Sequence, residues 1–216
     1  MSGRALFVNA LTFARVPLIF LWAAFAVWQE LGAARGAPSA TLAVLASLGM
    51  LLSGLTDLWD GKLARRWGVV STLGKMADPL MDKVFYLVSF PVLVWIACHS
   101  GAGDRLTLSL LALTVLYLLR DTWVTFMRSV GAMYGADVAA MRLGKVRTAI
   151  SFPGAGWIYV YLCFRQFAPF RADNALVGFA WPASVLAVEA ILAALTLASL
   201  VTYTRAYMVY LRRAMR

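Results

Sequence analysis

Six long stretches without Asp, Glu, Lys or Arg divide this 216-residue chain: 16–29, 36–56, 84–103, 106–119, 148–164 and 174–188, the last resuming after Glu189 to 204. Crossing the roughly 30 Å hydrocarbon core of a bilayer takes about 20 mainly apolar residues in a helix. Extending each stretch by a turn into its flanks predicts six transmembrane helices, at about 14–33, 38–66, 78–99, 105–131, 145–167 and 177–213. The composition agrees: 62% of residues are apolar and 14% charged, against about 45–50% and 25% in soluble domains. One soluble core could not hide that surplus. The chain reads as an all-α integral membrane protein, a single domain over 1–216 with no internal repeat or linker. The opening residues 1–12 are too short to span and are expected as an interfacial helix. Pro91 and Pro153 fall inside spans, where neighbouring helices tolerate them. Cys98 and Cys163 read as small buried hydrophobes.

The formal charge is +10. Such an excess suggests nucleic acid in a soluble chain, but on an apolar one it marks cytoplasmic loops, so no nucleic-acid partner is expected. Of the 20 basic residues, all but Arg35, Arg105, Arg165 and Arg171 fall on the side that carries both termini. That side is expected to face the cytoplasm, with the protein in the cell's inner or plasma membrane.

Only ten residues are acidic, yet Asp57, Asp60, Asp78 and Asp82 crowd the end of the second span and the start of the third. Asp57 and Asp60 are three apart, Asp78 and Asp82 four apart, so each pair shares a helical face. Gly68, Ser71, Thr72 and Gly74 between them allow the turn that brings the faces together. Capping, or pairing with Lys62, Arg65, Arg66 and Lys75, would explain one such Asp but not four, because acids in spans are costly and usually functional. Two divalent cations would balance four carboxylates. An all-oxygen set favours Mg²⁺ or Mn²⁺ over Zn²⁺. The sole histidine, His99, lies about 25 Å further along a helix rising 1.5 Å per residue and is not a ligand.

From Asp57 to Asp82 the sequence matches D-x2-D-G-x2-A-R-x8-G-x3-D-x3-D at every fixed position. In this it resembles the CDP-alcohol phosphotransferase family. The resemblance implies a six-helix membrane enzyme, usually a homodimer, that moves a phosphorus-containing group from a CDP-linked donor to an alcohol and releases CMP. It implies that Asp57, Asp60, Asp78 and Asp82 hold the metals and that Asp82 is also the general base. The CDP donor would lie along Asp57, Asp60, Gly61, Ala64, Arg65, Gly74 and Asp78. Small residues at 61 and 64 leave room for cytidine, and the planar Arg65 fork suits phosphate.

Arg120, Arg128, Lys145 and Arg147 reach the same side from the fourth and fifth spans, and clustered cations facing a cavity suit a phosphate-bearing acceptor. Gly144-Lys145-Val146-Arg147-Thr148, Arg120-Asp121 and Asn9-Ala10-Leu11-Thr12-Phe13-Ala14-Arg15 are similar to segments of the family's phosphatidylglycerophosphate synthases. There Lys is usual at 147 and Glu at 121. The implied substrates are CDP-diacylglycerol and sn-glycerol 3-phosphate. Inositol phosphate, phosphatidylglycerol and serine remain as acceptors of the same chemistry, and a divalent-cation transporter as a reading from another class. Arg142 and Arg212 are assigned to lipid headgroups.

Overall fold

The computed structural model describes residues 3–69, 72–136, 141–167 and 175–215, without the side chains of 72–79, 142 and 175–180. Six helices follow in order: α1 Gly3–Ala34, α2 Ala40–Trp67, α3 Thr72–His99, α4 Asp104–Met133, α5 Arg142–Phe164 and α6 Ala175–Ala214. No strand occurs among the described residues. Among the described residues, five helices are long and apolar enough to cross a membrane. The exception, α5, has 23 residues, about 35 Å at 1.5 Å per residue, and begins with Lys145 and Arg147 in its early turns.

The opening segment is not a separate interfacial helix. It forms the first turns of α1, which runs unbroken from Gly3 through Pro17. Nothing between 3 and 16 breaks a helix, and membrane helices accommodate an internal proline. α3 and α5 likewise continue through Pro91 and Pro153.

The bundle has an apolar core that also encloses several charged and polar side chains, and its outer surface carries large apolar residues. Leu6, Phe20, Trp28, Leu51, Leu108, Leu119 and Ile191 are exposed, while Asn9, Thr12, Arg15, Glu30, Asp60, Arg120, Arg147 and Glu189 are buried. A soluble protein seldom exposes so much large apolar surface; a lipid-facing one must. Cys163 is buried as expected, but Cys98 is exposed. The packed face of α3 runs through Leu93, Ile96 and Ala97, and the next position turns outward.

Helices α1, α2 and α3 pack together, as do α4, α5 and α6 through α6, and α3 joins the two groups through α4 and α5. Aromatic side chains fill the seam: Phe90 lies 4.6 Å from Tyr117, Phe85 4.8 Å from Phe152, and Trp22 meets Tyr159 edge-on at 5.5 Å. Two local devices set the ends of α2. Ser39 caps its start by accepting from the Leu42 backbone N–H at 3.3 Å. Gly68, at φ 63°, ends it in the left-handed conformation, and its N–H bonds back to Ala64 and Arg65. That glycine lets the chain reverse after the helix bearing Asp57 and Asp60.

Small residues allow the close approach of α2 and α5. A Cβ on Gly54 would overlap the Phe152 ring, whereas one on Gly156 would meet nothing within 4 Å. Gly54→Ala should therefore lower the unfolding midpoint in detergent, since overpacking costs about 1–3 kcal/mol. Gly156→Ala should leave it unchanged or slightly higher, because helical alanine gains up to about 1 kcal/mol over glycine. Equal midpoints for the two variants would contradict the close α2–α5 packing.

Candidate active site

The carboxylate motif begins on α2. Asp57 and Asp60 lie three residues apart, near the end of the helix that Gly68 closes. Asp60 is almost completely buried, while about half of the Asp57 side chain is exposed. Asp82 stands on α3 with about a third of its side chain exposed. All three face Arg15, contributed by α1. Arg15 Nη2 donates to Asp57 Oδ1 and, at 3.3 Å, to Asp60 Oδ2, while Nη1 donates to Asp82 Oδ1 at 3.3 Å. One turn earlier on the same helix, Thr12 Oγ1 donates to Asp60 Oδ2 at 2.7 Å. Asp78 and Gly74 belong to the first turns of α3, but their positions in the site lie outside the described residues, as does the side chain of Arg142.

Three acidic side chains from two helices thus converge on one cation, and every donor is oxygen. That chemistry fits hard divalent cations. Among the described residues no three acidic, His or Cys side chains surround a single ion position; the carboxylates are spaced around the guanidinium instead. His99 is far from this cluster, stacked on Trp95 at 4.0 Å with Nδ1 2.9 Å from the Trp95 carbonyl oxygen.

The predicted donor residues continue along α2. A Cβ on Gly61 would lie 3.5 Å from Arg65 Nη1, so the guanidinium covers the glycine's face. Arg65 itself is exposed and Ala64 half-buried.

The four predicted acceptor cations come together. Arg120, Arg128, Lys145 and Arg147 line a cavity of about 750 Å³ whose wall also includes Asp57 and Asp82. The acidic wall comes from α2 and α3, the basic wall from α4 and α5. Arg120 and Arg147 are buried, and both engage one carboxylate. Arg120 Nη1 donates to Asp121 Oδ1 at 2.7 Å, and Arg147 Nη2 donates to the same oxygen at 2.9 Å. Arg120 also reaches Ser199 Oγ at 2.5 Å and lies over the Tyr203 ring at 5.2 Å. Arg147 lies over Tyr117 at 4.7 Å and Tyr86 at 5.0 Å. Its Nε and Nη1 are buried with no hydrogen-bond partner among the described residues. A buried donor without a partner is costly.

Sequence reasoning misses two parts of this arrangement. Arg15 counts there toward the basic bias of one side and, with Thr12, toward a family-like segment, but not as a partner of the carboxylates, although their three-residue spacing puts them on one face. Asp121 reads as a departure from a pattern, not as the anion shared by Arg120 and Arg147. Tyr86 and Tyr203 also line the cavity, and nothing in their sequence context distinguishes them from core aromatics.

Comparisons with known proteins bear on this geometry. The family model for CDP-alcohol phosphatidyltransferase matches residues 6–188. The chain is 35% identical over 163 residues to a cardiolipin synthase (CMP-forming) of Streptomyces coelicolor, covering 69% of this chain and 67% of that one. It is 33% identical to a CDP-diacylglycerol–glycerol-3-phosphate 3-phosphatidyltransferase of Rickettsia felis, over 65% of this chain and 67% of the relative. To the Bacillus subtilis protein of the same name it is 30% identical, over 65% and 69%. With carboxylates and cations meeting across one cavity in a helical membrane bundle, and a family match over most of its length, the chain belongs to the CDP-alcohol phosphatidyltransferase family.

Proposed function

We propose that this protein transfers the phosphatidyl group of CDP-diacylglycerol to sn-glycerol 3-phosphate, giving phosphatidylglycerol phosphate and CMP. One observation carries the reading: Asp57 and Asp82 share a single cavity with Arg120, Arg128, Lys145 and Arg147. A donor diphosphate engages the acidic side together with its cations, so a second, phosphate-bearing substrate needs positive charge of its own. The names of the Rickettsia felis and Bacillus subtilis relatives support the same acceptor.

In this reading Asp57, Asp60, Asp78 and Asp82 hold two divalent cations, Mg²⁺ or Mn²⁺. Such ions, when bound, neutralise and polarise the donor diphosphate and stabilise the departing CMP. Gly61 and Ala64 let the cytidine approach the helix backbone, Arg65 forks onto phosphate, and Gly74, in the first turn of α3, lets the start of that helix approach the nucleotide. Arg120, Arg128, Lys145 and Arg147, which line the cavity, bind the acceptor phosphate and orient its hydroxyl. Asp82 takes the hydroxyl proton as the acceptor oxygen bonds to the lipid-bearing phosphorus. The bond from that phosphorus to CMP breaks, and its electron pair leaves with CMP. The basic bias of the sequence supports a cytoplasmic active site and termini, and the family resemblance supports a homodimer.

A second reading takes phosphatidylglycerol as acceptor, as the name of the Streptomyces coelicolor relative suggests. A cavity of about 300 Å³ between α3 and α4 shares Lys83, Tyr86, Asp121 and Thr125 with the main one, and its wall includes the exposed Leu87 and Leu118. A lipid acceptor would place an acyl chain there.

Labelled CMP release from CDP-diacylglycerol, with glycerol 3-phosphate, inositol 1-phosphate, serine and phosphatidylglycerol offered separately, tests the acceptor. Release is expected with glycerol 3-phosphate. Release with phosphatidylglycerol alone would transfer the assignment to the second reading, and metal flux into vesicles without CMP release would favour a transporter.

Residue roles are tested by kinetics. Arg147→Gln should raise the acceptor KM by about 10- to 150-fold, the equivalent of one charge-assisted contact of about 1.5–3 kcal/mol. The donor KM should stay nearly constant; an equal rise in both would refute the separation of subsites. Asp82→Asn should abolish turnover while retaining donor binding, and loss of donor binding with the chemical step intact would refute the base assignment.

A further inference from the structure

Burying a charge is expensive unless it is paired and hydrogen-bonded. Arg15 is 2% exposed, and its guanidinium cannot shed its proton. The charge is met by Asp57, Asp60 and Asp82, from two other helices. Thr12 holds the buried Asp60 from the same face of α1. Arg15 Nε, by contrast, has no hydrogen-bond partner among the described residues, so the side chain is directed to the carboxylates by its fork alone. The oxygens it contacts belong to the motif residues assigned above to the metals.

We propose that Arg15 is a positioning residue for this cluster: an internal cation that holds Asp57, Asp60 and Asp82 assembled without metal and gives up those contacts as divalent cations enter. The inference rests on the metal-dependent transfer proposed above. A rigid fork spanning α2 and α3 keeps like charges gathered that would otherwise repel. The same contacts make Arg15 a competitor of the incoming ions. Its charge sets how tightly they bind and how much they stabilise the fold.

The test uses the full chain in detergent micelles, stripped of metal by chelation, with Arg15→Gln and Arg15→Lys beside the parent. Mn²⁺ binding is titrated by electron paramagnetic resonance of the free ion, and unfolding midpoints are measured with and without Mn²⁺. Without metal, Arg15→Gln should unfold at a lower temperature than the parent. Saturating Mn²⁺ should restore most of that loss, and the Mn²⁺ Kd should tighten by about tenfold, the effect of removing one charge-assisted competitor. Arg15→Lys keeps the charge without the fork and should fall between the two, providing the same comparison if the Gln variant does not fold. An equal drop in midpoint with and without Mn²⁺, at unchanged or weaker Mn²⁺ affinity, would reduce Arg15 to a packing residue and overturn the proposal. A parent chain that binds no Mn²⁺ would overturn the metal-dependent reading itself.

Discussion

The contact between Arg15 and the carboxylates of α2 and α3 is the constraint around which the acidic half of the molecule is arranged. A guanidinium buried among helices that otherwise present Ile19, Trp22, Met50 and Phe85 is tolerable only with anions at its nitrogens. The anions in turn are tolerable there only beside a cation. α1, α2 and α3 are therefore held in register by charge at the end of the bundle where the motif lies, and by aromatic and aliphatic packing along the rest of their length. Removing Arg15 would leave the buried Asp60 uncompensated, a larger penalty than the loss of one exposed ion pair.

The basic half follows the same logic with signs reversed. Arg120 and Arg147 are buried cations from different helices, and Asp121 accepts from both through a single oxygen. One carboxylate between two guanidinium groups leaves that wall with an excess of positive charge, and the rings of Tyr86, Tyr117 and Tyr203 shield it from the apolar core. Cation–π contact stabilises the arginines without consuming their in-plane donors. The two halves meet at one cavity, acidic on one wall and basic on the other, a polarity that would suit the donor and acceptor proposed above.

Much of this is legible in the amino-acid sequence alone. Charge-free stretches locate the helices to within a few residues at most ends, because the cost of placing Asp, Glu, Lys or Arg in hydrocarbon acts on each span separately. The carboxylate faces are legible because helical spacing is local. Tertiary pairing is not local. Asp60 lies 45 residues beyond Arg15, and no pattern within α1 shows that its arginine turns inward rather than toward headgroups. For the same reason Asp121 reads as a neighbour of Arg120, when it also pairs with Arg147, 26 residues away on α5. The expectation of a separate interfacial segment fails because it rests on the length needed to span, which places no break in a helix. The expectation of a buried Cys98 fails because position along a span does not say which side of the helix faces the core.

Direct transfer within one cavity, with donor and acceptor bound together, is the central claim, and steady-state kinetics test it most directly. CMP release is measured while CDP-diacylglycerol and glycerol 3-phosphate are varied against each other, alongside exchange of labelled CMP into CDP-diacylglycerol in the absence of acceptor. The account predicts intersecting double-reciprocal lines and no exchange without glycerol 3-phosphate. Parallel lines accompanied by acceptor-independent exchange would contradict it.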